Sequence, residues 1–265
     1  RLVKERTRII NLMKGLLDGL FPEFTQVFKN PCGHTALVVL SICPSPAAIA
    51  SMNEDVFMDV IRSGRQGRLM RKKLRALHQA AQTSIGIKPG ADAVAVEVTL
   101  LVSRYYLIEQ QVDRLVKSLI RLVDKTEEGK YLLSIPGINY LSAAALLAEL
   151  GSLRSYHNAK QLIKMAGTNP IELESGGKRR GQTPMSKKGR PRLRYSAWSA
   201  VIPLFRHNPD FRAWAKRLRE RPAHANPLNG KEVVGAALNR LLRLVYTLVK
   251  KQQFYRSPQL ALVAN

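Results

Sequence analysis

The sequence contains little cysteine and few acidic residues. Its two cysteines, Cys32 and Cys43, cannot form a disulfide framework or, by themselves, a zinc site. His34 lies near both in sequence, but three such residues in a proline-rich loop more often have a structural role than a metal-binding one. Such sparse use of cysteine is typical of a reduced compartment, so we predict a cytoplasmic protein. No run of about eighteen consecutive apolar residues occurs, so we predict neither a membrane-spanning helix nor a membrane partner.

The motifs of metal-dependent and nucleotide-dependent enzymes are also missing. The acidic residues are scattered and form neither a D-x-D nor an H-E-x-x-H pattern, whereas two-metal phosphoryl transfer needs several converging carboxylates. Glu172 and Glu174 alternate just before Ser175, but two carboxylates do not complete such a site. No Walker loop and no G-x-S-x-G elbow occurs. We therefore predict no complete metal site in this sequence.

Basic residues, in contrast, are abundant. The 43 lysines and arginines stand against 19 aspartates and glutamates, which gives a formal net charge of +24. This excess is far greater than solubility requires and indicates an anionic partner, nucleic acid before an anionic membrane surface. The length of 265 residues, 45% of them hydrophobic, allows one large domain or two ordinary domains with real cores.

Hydrophobic periodicity predicts an all-α fold, because no long stretch alternates with period two. The strictest pattern is a heptad seam at residues 94–122, where apolar residues recur at alternating spacings for about four heptads. It predicts a long helix that pairs with a second copy as a coiled coil, and hence a homo-oligomer. The alternative is one long helix packed on its own chain. The stretch at 127–129 predicts a boundary between a helical linker and coiled-coil region at 1–128 and a helical domain at 129–255, with a tail at 256–265.

The second predicted domain begins with a short helix, a tight Pro-Gly-Ile turn and a second helix. This order is typical of a helix-hairpin-helix-like motif, in which backbone N–H groups at the turn and at the start of the second helix face a phosphate. Gly137, Asn139 and Ser142 are therefore candidate nucleic-acid contacts. Because Pro-Gly-Ile is also a common turn, an ordinary helical corner is the alternative.

Residues 175–194 form the most basic stretch and contain no acid. Their glycines and prolines predict a loop, and their charge favours polyanions. The candidate nucleic-acid contacts are Gly176, Gly177, Lys178, Arg179, Arg180, Lys187, Lys188, Arg190, Arg192 and Arg194. Ser175 is the candidate nucleophile, because the two glycines leave room for a phosphodiester and the following three cations can stabilise its oxygens. No proton acceptor is identified, and a solvated surface loop is the alternative.

Several motifs, in order along the second half, resemble the bridge-RNA-guided insertion-sequence transposases of the IS-one-ten group. They are I-P-G-I-x-x-x-S-A-A-x-L-L-A-E-L-G at 135–151, A-G-x-x-P at 166–170, S-G-G at 175–177, S-K-K-G-x-x-x-L-R at 186–194, N-P-D-F at 208–211 and K-E-V-V-G-A-A-L-N-R-L-L-R-L-V-Y at 231–246. The Phe254-Tyr255 end is similar as well, and the first helix resembles the stretch that follows the catalytic domain in that family.

The resemblance implies a two-part enzyme. A RuvC-like domain with four acids binds Mg²⁺, a coiled-coil segment pairs protomers, and a helical domain contributes a serine that becomes covalently joined to DNA. The serine falls on Ser175 and the coiled coil on residues 94–122, and a guide RNA is an implied partner besides DNA. The four-acid domain is not found in this sequence, which has no initiator methionine, and is expected before Arg1. Gly189-Arg190 stands where the family usually has Gly-Asn.

We therefore predict the C-terminal part of an insertion-sequence DNA transposase, with Mg²⁺ held by a domain outside these residues. The basic helices at residues 1–14 and 67–75 are predicted guide-RNA contacts. The alternatives are a nucleic-acid-binding module without catalysis and a decayed transposase fragment. A ribosome-associated basic protein fits the charge but does not explain the heptad seam.

Overall fold

The computed structural model describes residues 1–64, 70–171, 174–175, 178–179, 184–222, 225 and 227–257, with 174–175 and 178–179 described by their backbone alone. Within these residues the regular structure is helical apart from one pair of two-residue strands, which confirms the predicted all-α fold. The chain divides into two compact units, Arg1–Leu115 and Val116–Asn265. The division lies inside the longest helix, before the boundary expected near Gly129.

The described part of the first unit is built from the helices α1 to α6 and most of α7. They are α1 Leu2–Leu20, α2 Pro22–Val27, α3 His34–Ile42, α4 Pro46–Ala50, α5 Glu54–Ser63, α6 Arg71–Gln82 and α7 Ala91–Lys125. The side chains of Ser45 and Asn53 cap α4 and α5 by accepting backbone hydrogen bonds. The apolar run at residues 36–42 lies in α3, which is buried from Thr35 to Leu40.

The segment between α6 and α7 crosses the end of α1 at very close range. A side chain on Gly86 would stand 1.9 Å from the Leu20 carbonyl oxygen, so only glycine fits there. The Glu23 carboxylate accepts hydrogen bonds from the Ser84 hydroxyl at 2.7 Å and from the Ile85 N–H at 3.0 Å. Burial opposes ionisation of Glu23, but these two hydrogen bonds outweigh it and lower the pKa of that carboxyl.

The predicted heptad seam lies on α7, and most of it packs inside the first unit. Its buried or partly buried members are Val94, Val98, Leu101, Tyr105, Ile108 and Val112. Leu115 and Leu122 are exposed. A second row on α7 is also exposed and comprises Val96, Leu100 and Leu107. Up to residue 112 the seam therefore packs in the core of the first unit. The pairing of two copies through α7 stays a prediction.

The second unit continues with six further helices in its described part. They are α8 Glu127–Leu133, α9 Tyr140–Leu150, α10 Ala159–Ala166, α11 Pro191–His207, α12 Pro209–Arg219 and α13 Gly230–Lys251, with a 3-10 turn at Leu153–Ser155. Asparagine side chains cap four of them: Asn139, Asn158, Asn208 and Asn229. Each accepts an N–H that would otherwise lack a partner in the first turn. The core lies between α9, α11 and α13, where Leu146, Leu204 and Leu241 are fully buried.

The helix α11 contains a proline in its interior, where a proline usually ends or kinks a helix. Pro203 lies inside the helix, which continues to His207. A proline in a helix interior costs about 3 kcal/mol because it removes a hydrogen bond and crowds the preceding turn. Burial of Ala200, Val201 and Leu204 on both sides of Pro203 offsets that cost.

The segment after α13 packs back onto the second unit. The Tyr255 N–H donates to the Ser134 hydroxyl oxygen at 2.8 Å, and its O–H donates to the Asp210 carboxylate. The Phe254 ring lies 5.3 Å from the Tyr131 ring in an edge-on arrangement. Residues 252–257 thus tie α8 to the start of α12, and the rest of the predicted tail lies outside the described residues.

Candidate nucleic-acid interface

The candidate nucleophile lies on a short antiparallel hairpin. Strand β1 is Glu174–Ser175 and strand β2 is Lys178–Arg179, and their register pairs Ser175 with Lys178. A serine and a lysine are therefore direct cross-strand partners, where the sequence predicts an irregular loop. Their side chains, and Gly176, Gly177 and Arg180 altogether, lie outside the described residues, so these predicted contacts stay predictions.

Residues 184–190, here called the docked segment, are fixed onto the C-terminal end of α10. Four hydrogen bonds between backbone groups hold the segment. They run from Ile171 N–H to Pro184 O at 2.9 Å, Ser186 N–H to Asn169 O at 2.9 Å, Lys187 N–H to Gly167 O at 2.9 Å and Arg190 N–H to Met165 O at 2.7 Å. The Ser186 hydroxyl also donates to the Asn169 side-chain oxygen. This part of the predicted basic loop is an ordered structure rather than a freely solvated loop.

Two glycines make the docking possible. Gly167 ends α10 with a φ of 64°, a left-handed conformation that favours glycine. A Cβ on Gly189 would lie 2.4 Å from the Gly167 nitrogen and 2.5 Å from the Met165 oxygen. The A-G-x-x-P and S-K-K-G motifs are therefore the two sides of one backbone contact. Lys187 also has a positive φ of 54°, which is uncommon for a residue with a side chain.

The basic residues of this region divide into two groups. Arg190 donates to the Glu149 carbonyl at 3.1 Å, and Arg194 donates to the Ala166 carbonyl at 2.9 Å, so both guanidinium groups help to hold the fold. Lys187, Lys188 and Arg192 are exposed. Arg192 and Arg194 stand in the first turn of α11 rather than in a loop, because Pro191 starts that helix with its φ already fixed. The predicted loop thus ends at Arg190.

The predicted helix-hairpin-helix turn is a tight corner packed against α11. Gly137 has a φ of 98°, and a side chain there would lie 3.0 Å from the Pro203 oxygen and 3.1 Å from the Leu204 Cα. The Asn139 side-chain oxygen accepts the Ser142 N–H at 2.8 Å and caps α9. Packing and capping account for these three residues without a phosphate. Contact of Gly137, Asn139 and Ser142 with nucleic acid stays a prediction.

The helix α11 carries an exposed aromatic pair that the sequence motifs do not predict. Tyr195 and Trp198 are 69% and 47% exposed, and their rings are stacked with centroids 6.2 Å apart and planes at 26°. Tyr195 and Trp198 are three residues apart in the sequence, and this spacing brings two side chains to the same side of a helix. The spacing is the sequence feature that indicates the pair. Two large exposed aromatic side chains beside a basic segment are uncommon on an ordinary surface.

Metal-ligating groups do not converge in the part of the chain that is described. No three histidine, cysteine, aspartate or glutamate side chains lie close enough there to hold a metal ion. Cys32 and Cys43 are both free thiols, and burial raises the pKa of Cys32 to about 11, so that thiol stays protonated near neutral pH. The donor set described here does not fit the Mg²⁺ site that the family resemblance implies. Among the helices described, none is long and apolar enough to cross a membrane.

The second unit is helical and carries a two-stranded hairpin followed by a fixed basic segment. Residues 129–216, which include the hairpin, the docked segment and α11, match the model of the Transposase IS116/IS110/IS902 family. This segment of the second unit is therefore similar to that transposase family over about a third of the chain.

Curated relatives extend the similarity to the first unit. The chain is 24% identical over 261 residues, 97% of its length, to the Insertion element IS110 uncharacterized 43.6 kDa protein of Streptomyces coelicolor. It is 24% identical over 231 residues, 86% of its length, to the corresponding 44.8 kDa protein of insertion element IS116 from Streptomyces clavuligerus. Over 135 residues, 49% of its length, it is 30% identical to the transposase for insertion sequence element IS1111A of Coxiella burnetii. These matches span 62%, 57% and 35% of the respective relatives, so the chain corresponds to only part of each.

Proposed function

We propose that this chain is the linker and C-terminal part of an insertion-element DNA transposase, and that Ser175 is its DNA nucleophile. The observation that carries the proposal is the match of residues 129–216 to the transposase family, since the hairpin with Ser175 lies inside it. The similarity to insertion-element proteins over almost the whole chain supports the same conclusion. Under this proposal the partner of the second unit is DNA.

The proposed reaction is a transesterification. The Ser175 hydroxyl oxygen attacks a DNA phosphorus, a serine–phosphate ester forms, and the bond from phosphorus to one deoxyribose oxygen breaks. The leaving oxygen takes up a proton and the serine hydroxyl releases one, so no oxidant or reductant is needed. The backbone register pairs Ser175 with Lys178. We propose that the positive charge of this lysine stabilises the negative charge that develops on the phosphate oxygens.

The exposed cations that follow the hairpin would hold the DNA backbone. Lys187, Lys188 and Arg192 are exposed, and the docked segment fixes the backbone of the first two. A backbone held by hydrogen bonds loses little freedom when a phosphate binds, which favours affinity. Arg190 and Arg194, in contrast, stabilise the fold around the docked segment, because their guanidinium groups donate hydrogen bonds to backbone carbonyl oxygens.

We place the metal-dependent part of the reaction outside these 265 residues. Two observations support this placement: no cluster of metal ligands lies within the described residues, and the chain spans 62% of its relative from insertion element IS110. No step of the proposed reaction is therefore assigned to a metal held by this chain.

The first unit is proposed to bring copies of the chain together and to contact a guide RNA. The exposed row Val96, Leu100 and Leu107 on α7 offers an unpartnered apolar face, and its spacing of four and seven residues follows the heptad. On α6, Lys72 and Arg75 are exposed, although Arg75 also pairs with Glu54 at 2.6 Å. Lys4 and Arg8 are exposed on α1 and form a second candidate RNA contact.

A covalent adduct tests the serine assignment. The full-length protein that contains this chain is incubated with DNA carrying the element ends, and protein–DNA adducts are resolved under denaturing conditions. Ser175→Ala is expected to abolish the adduct. Ser186→Ala is the matched control, because Ser186 lies in the same basic region but only donates to Asn169. An undiminished adduct with Ser175→Ala refutes the assignment.

A nucleic-acid-binding module without catalysis is the second candidate, and the lack of a metal-ligand cluster among the described residues favours it. A decayed element copy would behave in the same way. In that case the chain binds DNA with a strong dependence on salt, because binding releases counterions. The full-length protein would then give no adduct, with or without Ser175.

A further inference from the structure

The apolar groove that contains Tyr195 and Trp198 lies between α11 and α13. It encloses about 530 Å³, which is within the range of about 300–1,000 Å³ typical of ligand clefts. Its apolar walls include Ile202 on α11 and Val234 and Leu238 on α13. The serine and DNA contacts are proposed from the family motifs. Those motifs do not explain why these apolar and aromatic side chains are exposed to solvent.

The charge around the groove identifies the kind of occupant. Lys187, Arg194 and Lys231 line it together with the aromatic pair, and no acidic residue is found among the described lining residues. An amphipathic protein helix uses the apolar surface, but it gains from the three cations only where it also carries acidic residues beside its apolar face. An unpaired nucleotide uses both, because its base stacks on aromatic rings and its phosphate pairs with lysine or arginine.

The geometry of the aromatic pair fits stacking of a base. The two rings are nearly parallel, with planes at 26°, and both side chains are exposed to solvent. A stacked pair presents a π-face to which a base can add. The groove also begins at Lys187, whose backbone the docked segment fixes through the Gly167 carbonyl. Base and phosphate contacts are thus held by rigid elements on both sides.

We propose that the α11–α13 groove binds an unpaired stretch of nucleic acid, with a base stacked on Tyr195 and Trp198 and its phosphates held by Lys187 and Lys231. This inference deepens the proposed function, because it rests on nucleic acid as the partner of the second unit. Fully paired DNA keeps its bases in the duplex and cannot make this contact. The groove therefore distinguishes single strands from duplex.

The first experiment is a fluorescence titration of the full chain carrying Trp214→Phe. The sequence has two tryptophans, so Trp198 is then the sole tryptophan. The probes are oligo-dT and oligo-rU of about eight nucleotides, a length within the usual site sizes of single-strand binders, and a duplex of equal length. Single strands are expected to quench Trp198, and the duplex is not. Tighter binding of oligo-dT than of oligo-rU indicates that DNA supplies the stacked base, and the reverse order indicates RNA.

The second experiment measures affinity by anisotropy of the labelled probes. Trp198→Leu is expected to weaken single-strand binding about 5- to 150-fold, the range for loss of one stacked base. Duplex binding is expected to change by less than about twofold, as for an ordinary surface substitution. Trp198→Phe retains a ring and restores most of the affinity, and Lys188→Ala, outside the groove lining, weakens both probes alike.

Three results overturn the proposal. The first is that Trp198→Leu binds single strands as tightly as the unaltered chain. The second is that Trp198→Leu and Trp198→Phe lose the same amount of single-strand affinity. The third is a Trp198 already shielded from acrylamide in the free chain, which means that a protein surface covers the groove. If only the adduct experiment fails, the groove stands without the serine mechanism. If no probe binds at low salt, both proposals fall.

Discussion

Replacement of Gly189 by alanine tests the backbone contact that fixes the docked segment. The added methyl group would lie 2.4 Å from the Gly167 nitrogen and 2.5 Å from the Met165 oxygen. Both atoms belong to the backbone, so no side chain can rotate away to make room. Gly189 has no positive φ, and the effect of the substitution is therefore steric.

The structure leaves two ways to relieve this clash, and they have similar costs. If the segment stays in place, overpacking costs about 1–3 kcal/mol. If it lifts, the flanking hydrogen bonds from Lys187 N–H to Gly167 O and from Arg190 N–H to Met165 O are lost, at about 0.5–1.5 kcal/mol each. We therefore expect Gly189→Ala to lower the free energy of unfolding of the second unit by about 1–3 kcal/mol.

Urea denaturation followed by tryptophan fluorescence measures this change, because Trp198 and Trp214 both lie in the second unit and report its unfolding alone. Gly230→Ala is the matched control: it too lacks a positive φ, and nothing lies within 4 Å of the added methyl group. The control is expected to leave stability unchanged or slightly higher. A loss below about 0.5 kcal/mol for Gly189→Ala would refute the contact between the two glycine motifs.

Three further predictions concern other parts of the fold. Burial and, second, the hydrogen bond to Asp210 raise the pKa of Tyr255 to about 12. The unfolded chain therefore loses the phenol proton at lower pH than the folded chain, and the stability of the fold decreases as pH rises from about 10 towards 12. Tyr255→Phe is expected to reduce this decrease in a profile of Tm against pH. Asn139→Ala removes the cap of α9 and should cost about 1 kcal/mol in urea denaturation, and a loss as small as that of an exposed surface residue would contradict the capping role. Leu100→Glu and Leu107→Glu place charges on the exposed row of α7 and should convert an oligomer to monomers in light scattering, whereas an unchanged mass would exclude that face.

The helices and the chemistry of the basic region follow from the sequence. The amphipathic spacing of α1, the Asn229 capping box of α13 and the proline at the start of α12 are local signals that predict helices within a few residues. Charge and ordered motifs identify the second half as a candidate nucleic-acid interface. All of these depend on residues near one another in the chain.

Tertiary packing decides the points on which the sequence is ambiguous. A heptad seam looks the same whether it faces a second copy or its own core, and only the packing of α7 shows that the seam up to Val112 is used within the chain. The same is true of Pro203, whose local cost is offset by burial on either side. Rules based on neighbouring residues cannot predict the packing of the α7 seam or the burial around Pro203, because both depend on residues that are distant in the sequence.

The sequence by itself determined an all-α, strongly basic chain and placed Ser175 among its cations. Only the tertiary structure showed that Gly167 and Gly189 meet, that Arg190 and Arg194 hold carbonyl oxygens, and that an aromatic groove lies open beside them. Composition and periodicity report what a segment prefers. Which backbone atoms approach within contact distance depends on how α10, α11 and α13 pack, and that information is distributed over the whole unit.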